Sequence, residues 1–221
     1  MLRFIPSMFR MKKGVREYLV EAYGDLHFSA PNIYDQKMKA IYGTVNRFGG
    51  VGGDVLDNFH VNIYSPFLMG SKLLSPLAPN ASKYYTYQLD SIQEKNNQLA
   101  YCIRFIPRNK SYQLVKGHMI ISDQVWSVRE MQFTGQSEYL RFDNLIQMGE
   151  VGTDSECLPQ RYDFNATFRF LGNVIDGSYT AVLNFRSIEA KDDDGFLSWG
   201  EKKSYDLTEA YNLQCDTTHY T

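Results

Sequence analysis

Between Tyr18 and Phe28 the side chains alternate, with Val20, Ala22, Gly24, Leu26 and Phe28 on one side and Glu21, Tyr23, Asp25 and His27 on the other. Successive Cβ atoms of extended backbone point to opposite faces, so period two predicts a half-buried strand. After Pro31-Asn32 the alternation resumes from Lys37 to Val45, the natural antiparallel partner of the first strand. Gly49-Gly50-Val51-Gly52-Gly53 interrupts the sheet, Phe59 to Tyr64 reads as a further strand, and Ser65-Pro66 ends it. Ser75-Pro76 opens a short irregular segment in which Pro79 limits any helix to about one turn.

Four strands then follow closely: Tyr84 to Asp90, Leu99 to Ile106, Leu114 to Ile121 and Val125 to Phe133. Asn96-Asn97, Pro107 to Lys110 and Ser122-Asp123-Gln124 supply the turns between them. Such connections are too short for crossovers, so the strands should form an antiparallel meander. Within it Ile103 and Phe105 should face the core, with Cys102 and Arg104 on the opposite side. Three more strands are expected at Leu140 to Met148, Gln160 to Phe170 and Ser178 to Ala190. Helix is confined to a short N-terminal one ending at Gly14 and one after Asp206, where Asp206 and Glu209 have N-cap and N3 spacing. The fold class is therefore mainly β: a curved antiparallel meander or open half-barrel, with a short N-terminal helix and little other helix. No internal repeat or linker divides the chain, and residues 1–221 read as a single domain.

Composition sharpens this picture in one respect. Sixteen Tyr and fourteen Phe stand against two Trp, a bias that suits half-buried strands. Lys plus Arg number 23 and Asp plus Glu 25; the net charge of -2 gives no global reason to expect nucleic acid as a partner. No apolar run approaches the length of a membrane-spanning helix. Arg3, Arg10, Lys12 and Lys13 lack the continuous apolar stretch of a signal peptide behind them. Cys102, Cys157 and Cys215 have neither metal-pair spacing nor an even count, and read as isolated small hydrophobes or free thiols, with one long-range disulfide and a leftover thiol as the alternative.

The glycine stretch 49–53 lacks the Gly-Lys-Ser/Thr ending of a phosphate loop and is followed by Asp54 and Asp57, which would repel a phosphate. Ala190 to Glu201 fits much of the twelve-residue calcium-loop spacing, with Asp192, Asp194 and Glu201 as candidate metal ligands and Gly195 at the sharp turn. Alanine stands where the first carboxylate belongs, and a solvated acidic hairpin tip accounts for the same residues. His27, His60, His118 and His219 have no fixed spacing to one another, and neither a Gly-x-Ser-x-Gly elbow nor a His-Glu-x-x-His helix occurs. No catalytic residue and no cofactor-binding residue is assigned. Arginines interleaved with aromatics, as in Tyr101, Arg104, Phe105 and Arg108, read as core aromatics with outward cations.

Particular segments carry a family resemblance. They are Asn62-Ile63-Tyr64, Leu74-Ser75-Pro76-Leu77-Ala78, Lys83 to Asp90, Tyr101 to Arg108, Val115 to Ile121 and Val125-Trp126-Ser127-Val128. Ser-Pro-Leu before a Tyr-Tyr-x-Tyr-x-Leu strand, a Phe-x-Pro-Arg strand end, and a hairpin of Gly, apolar strand, turn and Trp resemble the middle region of an uncharacterised family of bacterial outer-membrane proteins. Its members carry a carboxypeptidase-regulatory-like β-sandwich, then a periplasmic domain similar to lipoprotein-carrier folds, then a C-terminal β-barrel. The resemblance covers roughly residues 14–215. It implies a periplasmic or outer-membrane-associated segment of a longer protein, joined to the membrane through flanking regions. The expected function is a non-catalytic binding or interaction module, with a hydrophobic or lipid-like ligand or another envelope protein as partner. A hydrolase acting on a cell-envelope glycan or lipid is the alternative.

Overall fold

The computed structural model describes residues 19–29, 33–43, 61–69, 72–95, 98–123, 125–150, 152–189 and 202–206. In chain order the strands are β1 (Val20–Ser29), β2 (Ile33–Gly43), β3 (Phe67–Leu68), β4 (Leu73–Leu74), β5 (Tyr85–Lys95), β6 (Gln98–Pro107), β7 (Lys116–Ser122), β8 (Val128–Gln136), β9 (Leu140–Met148), β10 (Pro159–Phe170), β11 (Asn173–Val182) and β12 (Lys202–Asp206). The helix expected before Gly14, the helix expected after Asp206, the glycine stretch 49–53 and the acidic segment 190–201 lie outside the described residues.

Two compact units are present, Met1–Asp57 with Leu197–Thr221, and Asn58–Phe196. In the first, β1 and β2 form the expected antiparallel hairpin, with a bulge at Tyr23/Gly24 and a Lys39–Asp25 ion pair at 2.5 Å. The sequence pattern did not foresee β12, which lies parallel to β2 and pairs Lys202 with Ile33 through Asp206 with Lys37.

The second unit is built on a seven-stranded antiparallel sheet in the order β11-β10-β9-β8-β7-β6-β5. It is the expected meander, every neighbour pair antiparallel, and it does not close into a barrel. Alternation sorts its side chains cleanly. Tyr85, Phe105, Met119, Met131, Phe133, Phe142, Ile146, Tyr162 and Phe164 are buried on one face. Phe105 is fully buried and Arg104 exposed, as the strand pattern requires.

That apolar face is covered by the chain itself. Val61, Ile63, Leu68, Met69, Leu73, Ala78 and Ala81 are buried against it as part of one core. Here a strand was expected over Phe59 to Tyr64, but the described residues 61–64 form none. The reason is local: Asn62 accepts the Tyr64 N–H on its side chain at 3.0 Å and the Ser65 N–H on its carbonyl at 3.2 Å, turning the chain before a ladder can form. Polar clips then fix the cover. The Tyr85 hydroxyl donates to the Leu74 carbonyl at 2.7 Å, and the Leu74 N–H donates to the Gln113 carbonyl at 2.9 Å. Tyr87 likewise donates to the Pro76 carbonyl at 2.7 Å. In place of a helix, a three-residue 3-10 turn at Ala81–Lys83 ends the cover.

Strand ends moved where turns claimed residues. The β8 strand begins at Val128 instead of Val125, because Trp126 takes a positive φ of 54° and the Ser122 N–H closes onto the Ser127 carbonyl at 2.9 Å. At the other edge β11 begins at Asn173, five residues before the sequence pattern placed it, and ends at Val182. Leu171 and Gly172, with φ of 46° and 78°, make a two-residue connection that brings Phe170 directly opposite Asn173. The edge strand β5 carries a bulge between Leu89 and Ser91, where Asp90 pairs with Arg104 at 2.8 Å. A bulge and a charge on an exposed edge discourage pairing with another chain.

Candidate functional site: a polar groove on the open sheet face

The face opposite the core is built from the alternate residues of the same strands. Cross-strand register sets one row across five strands: Lys116, Thr134, Asp143, Asn165 and Ser178. Two residues further along lies a second row, Gln136, Arg141, Thr167 and Asp176, which shares its face by strand alternation. Between them run Gly135, Phe142, Ala166 and Gly177, which turn the other way. Three of those four are small, and Phe142 is the one that reaches into the core. A groove of about 1380 Å³ follows the two polar rows, walled at one end by the β6–β7 loop through Pro107, Arg108, Asn109, Lys110, Ser111 and Tyr112.

Its charge is uneven. Arg108, Lys110, Lys116 and Arg141 line it, against Asp143 and Asp176. Both acids are held by neutral donors: Gln132 Nε2 donates to the Asp143 carboxylate at 3.0 and 3.3 Å, and Thr167 Oγ1 donates to Asp176 at 2.6 Å. Arg108 spends its Nε on the carbonyls of Ser82 and Tyr85, both at 3.1 Å, which fixes the loop wall. No ion pair is formed by Lys110, Lys116 or Arg141 among the described residues. Elsewhere on the same face one acid is paired with an arginine. Asp163 receives Arg161 at 2.6 and 2.9 Å and the Thr180 hydroxyl at 2.7 Å; the Arg161 hydrogen bonds hold its carboxyl below the usual carboxylate range.

A second polar cluster ties a loop down. Ser127 donates to Glu156, Glu156 accepts the Gly152 N–H at 2.9 Å, and the Tyr64 hydroxyl accepts the Val128 N–H at 3.2 Å. Burial is the main cause pushing the Tyr64 phenol up from its ordinary value. These contacts fasten residues 152–158 to the start of β8, a structural task. Cys157, exposed beside them, and Cys102 are both free thiols.

Of the candidates raised from sequence, Asp192, Asp194, Glu201, His60, His219 and Cys215 fall outside the described residues. His27 lies on β1 of the first unit, and His118 lies on β7 with Arg104 and Gln132 as its cross-strand neighbours. Neither lines the groove. Among the described residues no group of three or more His, Cys, Asp or Glu is arranged to hold a metal ion. What the sequence pattern did not isolate is the groove itself. Its polar positions read as a solvated strand face, and nothing in alternation distinguishes a face that forms a groove from one that does not.

Comparison with known families adds one match, a family described as "Family of unknown function (DUF5686)", whose pattern spans residues 6–186. The chain belongs to this family. The match runs through the whole seven-stranded sheet and both polar rows of the groove. No curated protein and no solved structure matches the chain significantly.

Proposed function

We propose that this chain is a non-catalytic binding module of a bacterial cell-envelope protein, working in the periplasm or at the outer membrane and engaging its ligand through the polar groove. The location rests on the resemblance described from the sequence. One observation carries the binding role: the sheet's apolar face is filled by the chain's own residues 61–69 and 72–84, while the opposite face offers a side-chain-lined groove of about 1380 Å³. A lipid carrier needs an apolar cavity. Here the apolar face already has an occupant, held by the Tyr85 and Tyr87 hydrogen bonds, which favours a polar ligand or a polar partner surface over an acyl chain.

The test is an amide chemical-shift screen of the 221-residue protein with saccharides, acidic peptides and a lipid-mimetic detergent monomer, followed by mass analysis of each recovered ligand. Saturable shifts at Thr134, Arg141 and Thr167, with the ligand recovered intact, are the expected result. A cleaved ligand would replace the reading with the hydrolase alternative. Shifts confined to residues 61–84 and the core would replace it with the carrier.

A further inference from the structure

We infer that the groove takes an anionic saccharide, a hydroxyl-rich chain bearing carboxylates. The inference rests on the groove being the binding site and names its ligand class. Three features of the lining support it. First, cations exceed acids, Lys116 and Arg141 are free of ion pairs among the described residues, and Asp143 and Asp176 accept hydrogen bonds from the neutral Gln132 and Thr167 instead of from these cations. An anionic ligand therefore meets unspent donors without breaking an existing pair.

Second, the residues between the charges are small hydroxyls and amides, such as Thr134 and Asn165, spaced by the strand separation of about 4.8 Å. Repeated donor and acceptor pairs at that interval suit a chain of ring hydroxyls better than an acyl chain, which would need apolar lining. An acidic peptide bound by strand addition would need open backbone edges. The groove floor instead runs over the side-chain face of β7 to β11, and of these only β11 has an unpaired edge, the other four having a hydrogen-bonded strand on both sides. A single-stranded nucleic acid would need aromatic platforms along the floor, and the floor residues supply none beyond the inward-turned Phe142.

Third, Tyr112 on the loop wall is 62% exposed. An exposed phenol ring at the rim offers a flat surface for the C–H face of a sugar ring.

The experiment is calorimetric titration of the 221-residue protein with an oligogalacturonide, set against maltotetraose, tetraglutamate and inorganic pyrophosphate. The oligogalacturonide should bind at least about tenfold tighter than each of the others, and the affinity should fall as salt rises. K116Q and R141Q should each weaken binding about tenfold, the effect of losing one charge-assisted hydrogen bond. R104Q, on the same sheet face but outside the groove, should change nothing. If a glutamine variant melts well below the parent, R141K and K116R replace it as the test: these keep the charge and should keep the affinity within about threefold. Equal binding of maltotetraose would show that the groove does not select charge. Tetraglutamate or pyrophosphate binding as tightly would make it a general anion site. Either result overturns the inference while leaving the groove as a binding site. An equal loss in R104Q, or no oligogalacturonide binding, also overturns it.

Discussion

Gly135 on β8 and Phe142 on β9 stand directly opposite one another, and the phenyl ring of Phe142 lies where any side chain on Gly135 would have to be. Its ring then meets Phe133 edge-on, with centroids 6.3 Å apart, and stacks on Phe164 at 5.9 Å. The glycine is thus demanded by packing, since its φ is not in the left-handed region. Gly135→Ala should cost about 1–3 kcal/mol by overpacking. In a background of Phe142→Ala, which itself should cost about 3–5 kcal/mol, the alanine should cost little. Urea unfolding of the two single variants and the double variant measures that coupling; strict additivity would mean that the ring has another place to go.

The β10–β11 connection carries a different kind of strain. Leu171 has φ 46° and is 60% exposed, so it holds a conformation unfavourable to leucine and gains little burial in return. Two consecutive positive φ values in a two-residue hairpin are the type I′ pattern, for which Asn-Gly is the favoured pair. Leu171→Asn should therefore stabilise the protein by about 1 kcal/mol, read as a higher Tm. A lower Tm would show that the exposed leucine makes a contact worth more than the strain.

These two positions mark how far the sequence could be read. Alternation located β9 to the residue and placed Ile103 and Phe105 against Arg104, because a half-buried strand writes its two faces into the chain. It misplaced the start of β11 because Leu171-Gly172 does not advertise a type I′ turn. It called Phe59 to Tyr64 a strand because Val61 and Ile63 are as buried as strand residues are, although they reach burial by lying across a sheet face. The groove was illegible for a deeper reason: it is made by register across five strands, and register is not local. Arg141 and Lys116 lie 25 positions apart in the sequence and on β9 and β7 in the sheet.

Tyr85 should report on the seal between the cover and the sheet. Its side chain is fully buried, donates to the Leu74 carbonyl at 2.7 Å and accepts the Val115 N–H at 3.3 Å. Burial pushes its phenol up to about 12. A raised folded-state value means that stability from this group is complete below about pH 10, the unfolded value, and is lost as pH rises towards 12. Burial raises the Tyr179 phenol too, so it acts in the same direction. Tyr85→Phe should lower stability at neutral pH by about 1–3 kcal/mol, since it leaves the Leu74 carbonyl and Val115 N–H without this partner. It should also flatten the loss of stability above pH 10. Denaturant melts at pH 7, 9, 10 and 11 separate the two effects; an unchanged alkaline slope would remove Tyr85 as its cause.

Asn144 is an amide buried on the sheet's apolar face. It is fully buried, paired in register with Phe133 on β8 and Phe164 on β10, and neither its Nδ2 nor its Oδ1 has a hydrogen-bond partner among the described residues. An unpaired buried amide costs about 1–3 kcal/mol, whereas an apolar side chain of similar shape removes that cost and adds contact area. Asn144→Leu, or the smaller Asn144→Val where leucine overfills the site, should therefore raise stability by about 1 kcal/mol or more. Strand alternation turns Asn144 away from its neighbour Asp143 and so away from the groove, and the stabilised variant should bind every groove ligand with unchanged affinity. Denaturant unfolding and ligand titration on the same samples decide both points. Lower stability in both variants would show that the amide meets a polar partner in solution. Unchanged stability with weakened groove binding would instead mean that Asn144 is kept to adjust the backbone beneath Asp143.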